Sequence, residues 1–561
     1  MSTWGNVPVN VGELQRKISQ RATQDPNHRF EDLYSVLYNW EWLSEAQRHV
    51  RRNTGSQTAG ADGVTMRSFE EDLEGNLQVL QKTLRAETFD PIPVRRRTIR
   101  EVKRDGRIKH RRLGIPSIAD RIVQEAMRMA LEPIYEADFS KHSYGFRPDR
   151  CTQDAVTYIG KRLATHQHTY GWVIEGDIAS FFDTLNHKKL MKLLRKRIKD
   201  QKILDLIWKF LRAGVMEKGK IRHTIIGTPQ GGIVSPLLAN VYLHELDRYM
   251  EQYTTRTGRR YWKRKGHANF LYVRYCDDFV VLCDGNKQQA EAMKQELTGF
   301  LATHLKLELS QEKTKVTHVK DGFEFLGYLI ERGIGTSGKL APRIRIPKSA
   351  LDKAVFKVDR MLRGSTNDSV KTKVQALNRF IRGWCQYYQM TSSPNVMFQK
   401  LEYKVFWSMG HWLGKKYKLS MPKVMQKFRQ GNTFGTTTIT LLQPTQFKAK
   451  WHKARTIPNP YLTPGKPLDR ERLFDPDEKW TGREKRPGMA DRKESVYRRD
   501  LGKCGRCGQY VPWKQAQVDH IKPRATFKDK TQADIMENLW ILHDIPCHQE
   551  KTKQDLQAVT V

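Results

Sequence analysis

Cysteine is scarce in this chain. Seven of 561 residues are cysteine, an odd number, and only Cys504 and Cys507 stand close together. That pattern excludes a disulfide framework and points to a reducing compartment, the cytosol. Long apolar runs are missing as well. None approaches the ~20 residues needed to cross a bilayer, and the N-terminus MSTWGNVPVN has no apolar core of signal-peptide type. No membrane partner is expected. There is no internal repeat. Acid is in short supply: 61 Asp and Glu face 99 Lys and Arg, for a formal net charge of +38. The basic residues run along the whole chain rather than in one tail, which suits a long nucleic acid tracked across several domains.

What is present is enough to build packed cores. Hydrophobic residues make up 38% of the chain, and the length suggests three or four domains at roughly 150 residues each. Residues 31–50 read as one helix with the aromatic face Leu33, Tyr34, Leu37 and Trp40, and the Gly-rich segment 54–63 reads as turns. The basic stretch from Arg95 to Arg112, broken by Asp105-Gly106, reads as two strands. Residues 172–178, 271–275 and 279–282 read as strands, and Lys188 to Ile198 as a basic helix. Ala290, Met293, Leu297, Phe300 and Leu301 fall at helical spacing and mark a core stripe. Thr254 to His267 reads as a basic surface loop able to grip a nucleic acid. Residues 341–421 read as mostly helical. After Lys450 several prolines interrupt a charged linker, and a Cys/His module closes the chain from about Arg492.

The sharpest feature is Tyr275-Cys276-Asp277-Asp278, two adjacent carboxylates in a short turn between apolar strands. Adjacent like charges raise each other's pKa unless a cation compensates. A third carboxylate, Asp177, ends another strand. If the strand tips are neighbours, three hard oxygen ligands converge and suit magnesium. Two such ions would activate a primer 3′-hydroxyl and stabilise the leaving pyrophosphate. In that scheme Asp177 and Asp277 bridge and Asp278 is peripheral.

The surrounding blocks carry a resemblance. Residues 176–183 (GDIASFFD), 228–240 (TPQGGIVSPLLAN) and the Tyr-x-Asp-Asp turn resemble successive blocks of a reverse transcriptase. Asn53 to Thr65, Leu113 to Pro116 with Asp120-Arg121, Tyr144 to Pro148 and Phe325 to Gly327 match in order. The set, from about Glu31 to Met421, is similar to group II intron-encoded proteins. The resemblance implies a multidomain α+β chain. A right-hand polymerase with fingers and palm would fill residues 1–340 and a helical thumb, or maturase (X) domain, 341–450. Residues 451–491 would be a basic DNA-binding linker and 492–561 a ββα-metal HNH endonuclease domain. It implies that Phe182 gates against a 2′-hydroxyl, although a palm-core role is also open, and that Gln230 contacts the nucleotide, with Gly231 and Gly232 allowing close backbone approach. Lys103 and Arg111 stand in the stretch where the triphosphate would be held, with Lys109 and Arg112 as alternatives and a solvated basic strand as the rival reading, and Lys313 stands where the family often carries a lysine. In Arg382 to Tyr388, Trp384 and Tyr388 read as core while nearby Lys and Arg meet RNA.

The terminal segment Cys504-Gly505-Arg506-Cys507, Val518 to Ile521, Asn538-Leu539 and Leu542 to Thr552 resembles the endonuclease of the same family. There His520 is the general base and Asp519 with His548 would hold the catalytic cation, while Asn538 orients the base or braces its loop. Cys504, Cys507 and Cys547 would hold a structural zinc, with His543 the candidate fourth ligand across a gap one residue longer than usual. The implied partners are group II intron RNA, a DNA target and deoxynucleoside triphosphates. The implied activities are RNA-directed DNA polymerisation, splicing assistance and target nicking for primed reverse transcription. Two alternatives are a reverse transcriptase of a host or defence system and a splicing factor with a dead polymerase. The intact Asp177, Asp277 and Asp278 speak against the second.

Overall fold

Asparagine caps cut the N-terminal region into short helices. Asn10 and Asn39 accept N–H groups from Glu13 and Trp42 and so start the helices Val11–Gln24 and Trp40–Arg52. The single helix expected over residues 31–50 is therefore two, Tyr34–Leu37 and Trp40–Arg52. Asn39 is held extended because its side chain bonds the backbone of the next turn. Both pack on Ile118–Asp138, which is buried over most of its length. Trp42 is fully buried there, and its Nε1 donates to the Ala126 carbonyl at 3.0 Å.

The structure is a computed structural model. It describes residues 9–102, 108–164, 170–217, 220–222, 231–254, 256–334, 340–363, 366–463, 496–497, 499–500, 503–511, 515–522, 538–543 and 547–551. It divides into two units, 1–474 and 475–561.

A four-stranded antiparallel sheet organises the first unit. Its order is Phe270–Tyr275, Asp278–Cys283, Trp172–Asp177, Lys315–His318. The first two strands are almost continuously apolar because both faces of the sheet are covered. Alternate residues enter different cores. Ile174, Tyr272, Phe279 and Val281 join the N-terminal helices and Lys287–Phe300. Val173, Val273, Val280 and Leu282 join the helices that follow residue 345. Each such side chain contributes roughly 1.5–3 kcal/mol on full burial. A slip of one residue would exchange the faces, so the register is strongly specified. The stripe Ala290, Met293, Leu297 and Leu301 is buried, and Phe300 packs against the same core.

The basic stretch forms the expected hairpin, Val94–Val102 against Ile108–Ile115, with Val102 opposite Ile108. Val94–Val102 also pairs with Val215–Glu217, which pairs in turn with Lys220–Arg222. The basic helix near residue 190 is shorter than expected, His187–Leu194, ending at Arg195. The supposed loop from Thr254 to His267 contains a helix, Arg256–Arg264, because Trp262 finds a stacking partner in Tyr253. The helical segment from 341 begins instead as a strand, Leu340–Arg345, since its residues pair with Tyr328–Ile334. Among the described residues four helices follow, Lys348–Arg363, Val370–Tyr388, Pro394–Tyr417 and Met421–Phe428. Tyr388 is buried, and Trp384 packs beside it and Phe398, as the core reading has it.

Of the linker, residues 451–463 are described, and they are tied down. His452 Nε2 and Arg455 Nε reach Asp154 at 2.8 and 3.0 Å, and the Tyr461 hydroxyl donates to Glu132. Among the described residues no helix is long and apolar enough to cross a membrane. In the second unit Ala516–His520 pairs antiparallel with Leu539–His543 over a small core that includes Cys504 and Cys547.

Asp120, in the first turn of Ile118–Asp138, is 2% exposed, and its Oδ2 has no hydrogen-bond partner. Burial pushes its carboxyl up to about 7. Below pH ~4 the folded and unfolded chains both hold this proton; between ~4 and 7 only the folded chain does. Stability therefore falls as pH rises through that window, by ~1.4 kcal/mol per pH unit. Asp120→Asn should raise the thermal midpoint at pH 8 by several degrees and give no gain at pH 4. Equal gains at both pH values would rule out titration of Asp120 as the cause.

Candidate metal centres

Strand pairing brings the acidic tips together. Asp177 and Asp278 are direct partners in the last register position between their strands. Asp277 precedes Asp278 in the turn, where Cys276 takes φ 58°. Asp278 is accessible at its tip, yet the surrounding protein and the charges of Asp277 and Asp177 push its carboxyl up to about 7. Lys313 opposes them. Its Nζ lies 2.6 Å from Asp177 Oδ2, and this contact raises the lysine pKa. The loop carrying Lys313 is itself pinned, since the Ser310 N–H donates to the Asp177 carbonyl at 2.8 Å.

A buried network not anticipated from the sequence holds the turn. Arg274, completely buried, makes two bonds to Asp247, of 2.7 and 2.6 Å. It also donates to Asn240 Oδ1 at 2.9 Å and to the Cys276 carbonyl at 3.0 Å. Asn240 Nδ2 in turn donates to the Gly145 carbonyl at 2.8 Å. A Cβ on Gly145 would lie 2.5 Å from the Cys276 nitrogen, so only glycine fits beside the turn. The Arg274 guanidinium holds the Asp247 carboxyl far below the usual range against the effect of burial. The signal available in the sequence was one arginine inside an otherwise apolar strand.

Phe182 is half-buried, edge-on to Phe181 at 5.3 Å, in the short helix Phe181–Thr184 after Asp177. Lys103 and Gln230 lie outside the described residues, as does the side chain of Arg111, whose backbone pairs with Ile99. Gly231 takes φ 121°, and a Cβ there would stand 2.2 Å from the Gly114 carbonyl. The close approach that requires this glycine is to another backbone segment.

The second unit gathers two further sets. The ligand atoms of Cys504, Cys507, His543 and Cys547 all lie within 4.8 Å of one another. His543 Nε2 is 3.1 Å from the Tyr510 carbonyl, which leaves Nδ1 facing Cys507 Sγ at 3.4 Å. Burial disfavours a thiolate at Cys504, but the N–H groups of Cys507, His543 and Arg506 outweigh it and bring the thiol down to about 6. Nearby, His548 Nε2 lies 4.0 Å and Lys551 Nζ 3.6 Å from Asp519 Oδ2. Asn538 braces the chain after His520. Its Oδ1 accepts from the Lys522 N–H at 2.9 Å and its Nδ2 donates to the Lys522 carbonyl at 3.1 Å.

Three family models match in chain order: reverse transcriptase (RNA-dependent DNA polymerase) over residues 102–330, group II intron, maturase-specific domain over 351–429, and HNH endonuclease over 504–554. The group II intron-encoded protein LtrA of Lactococcus lactis subsp. cremoris is 31% identical over 494 residues, covering 75% of this chain and 80% of LtrA. The chain belongs to the group II intron-encoded proteins. Protein YkfC of Escherichia coli strain K12 is 40% identical over 357 residues, 60% of this chain and 93% of YkfC. The putative COX1/OXI3 intron 2 protein of Saccharomyces cerevisiae is 26% identical over 481 residues, 73% of this chain and 54% of its own length. This intron-encoded protein is thus a mixed α/β multidomain reverse transcriptase and maturase with an HNH endonuclease domain.

The Arg274 network yields a prediction. Arg274→Met leaves Asp247 buried and unpaired, at a cost of ~3–5 kcal/mol, and should lower the thermal midpoint sharply. Arg274→Lys keeps the charge but not the fork that reaches Cys276. It should fold, bind RNA as before, and polymerise about tenfold more slowly, the equivalent of one charge-assisted hydrogen bond of ~1.5 kcal/mol. Wild-type incorporation rates in the lysine variant would show that the turn does not depend on this contact.

Proposed function

We propose that residues 1–340 form the fingers and palm, 341–450 the thumb and maturase surface, 451–491 a DNA-binding linker and 492–561 a ββα-metal nuclease. The observation that carries the polymerase assignment is the pairing of Asp177 with Asp278 across two strand tips, with Asp277 beside them. The upward shift of Asp278 marks negative charge that one lysine does not balance. Hard carboxylate oxygens in that state fit magnesium. Asp177 and Asp277 would bridge a pair of ions and Asp278 would sit at the edge. When bound, the ions supply activation of the primer hydroxyl and neutralisation of the leaving pyrophosphate.

The chain's own groups do the rest. The Arg274 network sets the turn before the nucleotide arrives, so little reorganisation is left for the reaction. Lys313 holds the Asp177 carboxylate in one orientation. Phe182 excludes a 2′-hydroxyl sterically and offers it no partner, which selects deoxynucleoside triphosphates. Gln230, Lys103 and Arg111 are assigned to nucleotide and triphosphate contacts.

In the nuclease, His520 takes the proton from the attacking water, and Asp519 with His548 would hold the cation at the scissile phosphate. Asn538 fixes the loop that follows the base. The thiolate-supporting N–H groups at Cys504 and the His543 Nδ1 turned toward the thiols suit zinc, held by Cys504, Cys507, His543 and Cys547. The protein binds its intron RNA, nicks one strand of a DNA target and extends the new 3′ end along RNA.

Two outcomes follow. Asp277→Ala should abolish magnesium-dependent primer extension on an RNA template, by a thousandfold or more; equal incorporation by variant and wild type would support a splicing factor without polymerase activity. Cys504→Ser should release about one zinc per chain by metal analysis and stop DNA nicking, with primer extension retained. Undiminished nicking without zinc would remove the structural role.

A further inference from the structure

From Arg256 to Lys265 the chain carries six basic residues and no acidic one. Five of them fall within a helix with a fixed seat, Arg256–Arg264, and Lys265 follows it. Trp262 stacks on Tyr253 at 5.1 Å and meets His267 edge-on at 5.1 Å. Beyond the helix Gly266 turns with φ 80°, and its carbonyl accepts from Gln289 Nε2 at 3.1 Å. Arg260, Lys263, Arg264 and Lys265 are exposed, and among the described residues none of them forms an ion pair. Beside them Tyr261 is 55% exposed, its ring edge-on to Trp262 at 5.2 Å. Unbalanced cations crowded on one ordered helix repel one another, and the arrangement is favourable when a polyanion covers it.

The patch is remote from the acidic turn. Tyr253, on which Trp262 rests, packs at 5.6 Å against Phe270, the first residue of the strand Phe270–Tyr275. Asp277 and Asp278 lie past the other end of that strand, on the order of 20 Å away at ~3.3 Å per residue. We propose that the helix Arg256–Arg264 is a second RNA grip, separate from the polymerase site, which holds unpaired loops of the folded intron RNA. The exposed lysines and arginines meet phosphates, and Tyr261 offers a platform for an unstacked base. A regular primer–template duplex offers phosphates but no free base face, so the tyrosine favours a loop. A membrane surface would also attract a basic helix, but it needs an apolar face to insert. Here Trp262, the main apolar group, is already spent on Tyr253 and His267. The inference rests on the reading that intron RNA is the partner.

The test uses the full chain, the transcript that flanks its reading frame, and a short poly(rA)/oligo(dT) primer–template. Replacing Arg260, Lys263, Arg264 and Lys265 together by Gln should weaken transcript binding at least tenfold. It should also flatten the slope of log affinity against log salt by ~0.7–0.9 for each phosphate that is no longer neutralised. Tyr261→Phe, which keeps the ring, should bind as wild type, whereas Tyr261→Ala should lose about tenfold. Extension of poly(rA)/oligo(dT) should stay within about twofold in all of them, which also shows that they fold. Unchanged affinity and salt slope overturn the grip, as does a parallel loss on the short primer–template, which would make the helix a template contact. Loss of binding to anionic phospholipid vesicles with transcript binding intact would assign it to membranes and overturn it too. If the unmodified chain ignores the transcript, the reading of the partner falls as well; if it binds and the variants bind equally, only the helix's role falls.

Discussion

Three carboxylates held close without a full complement of positive charge are the constraint around which the first unit is arranged. Left alone, Asp177, Asp277 and Asp278 would move apart or take up a proton, and the upward shift of Asp278 shows that tendency. Two things resist it. One is the register between Trp172–Asp177 and Asp278–Cys283, fixed by side chains that enter separate cores from the two faces of the sheet. The other is the buried Arg274–Asp247 pair, which ties the Cys276 carbonyl to the helix Ser235–Thr254. Truncating either partner of such a pair strands a charge in the interior, so the network is all-or-none.

That arrangement explains why the same protein can be so basic overall and acidic at one point. A net charge of +38 draws nucleic acid to the surface in general, and only a local excess of carboxylate can draw divalent cations out of the same solution. Lys313 sits between the two demands: it steadies Asp177 but compensates Asp278 only in part. The second unit solves a different problem. Among its described residues the buried apolar cluster is small and includes Cys504 and Cys547, so a metal there would add stability to that packing.

Much of the architecture was legible in the chain. The apolar runs flanking the acidic turn, the hairpin over the basic stretch and the stripe from Ala290 to Leu301 each follow from periodicity, and all three appear. Three of the misreadings trace to a partner outside the segment or to a cap. Asn39 divides a helix because its side chain captures the Trp42 N–H; Leu340–Arg345 is a strand because Tyr328–Ile334 lies beside it; Arg256–Arg264 is helical because Tyr253 receives Trp262. At the site, the acidic residues announced themselves by type and adjacency. Arg274 and Asp247 did not, and the blocks holding Asn240 and Gly145 gave no sign of their part in the network, since the bonds Arg274–Asp247 and Asn240–Gly145 span 27 and 95 residues of chain.

By itself the sequence determined the charge, the residue types at each metal centre and the hydrophobic periods that commit segments to helix or strand, because these are properties of a residue and its near neighbours. Only the tertiary structure decided that Asp177 faces Asp278, that His543 turns one nitrogen to Tyr510 and the other to the thiols, and that a basic stretch becomes a presented helix. Those outcomes depend on which surfaces meet once water is excluded, and no local pattern of residues specifies that.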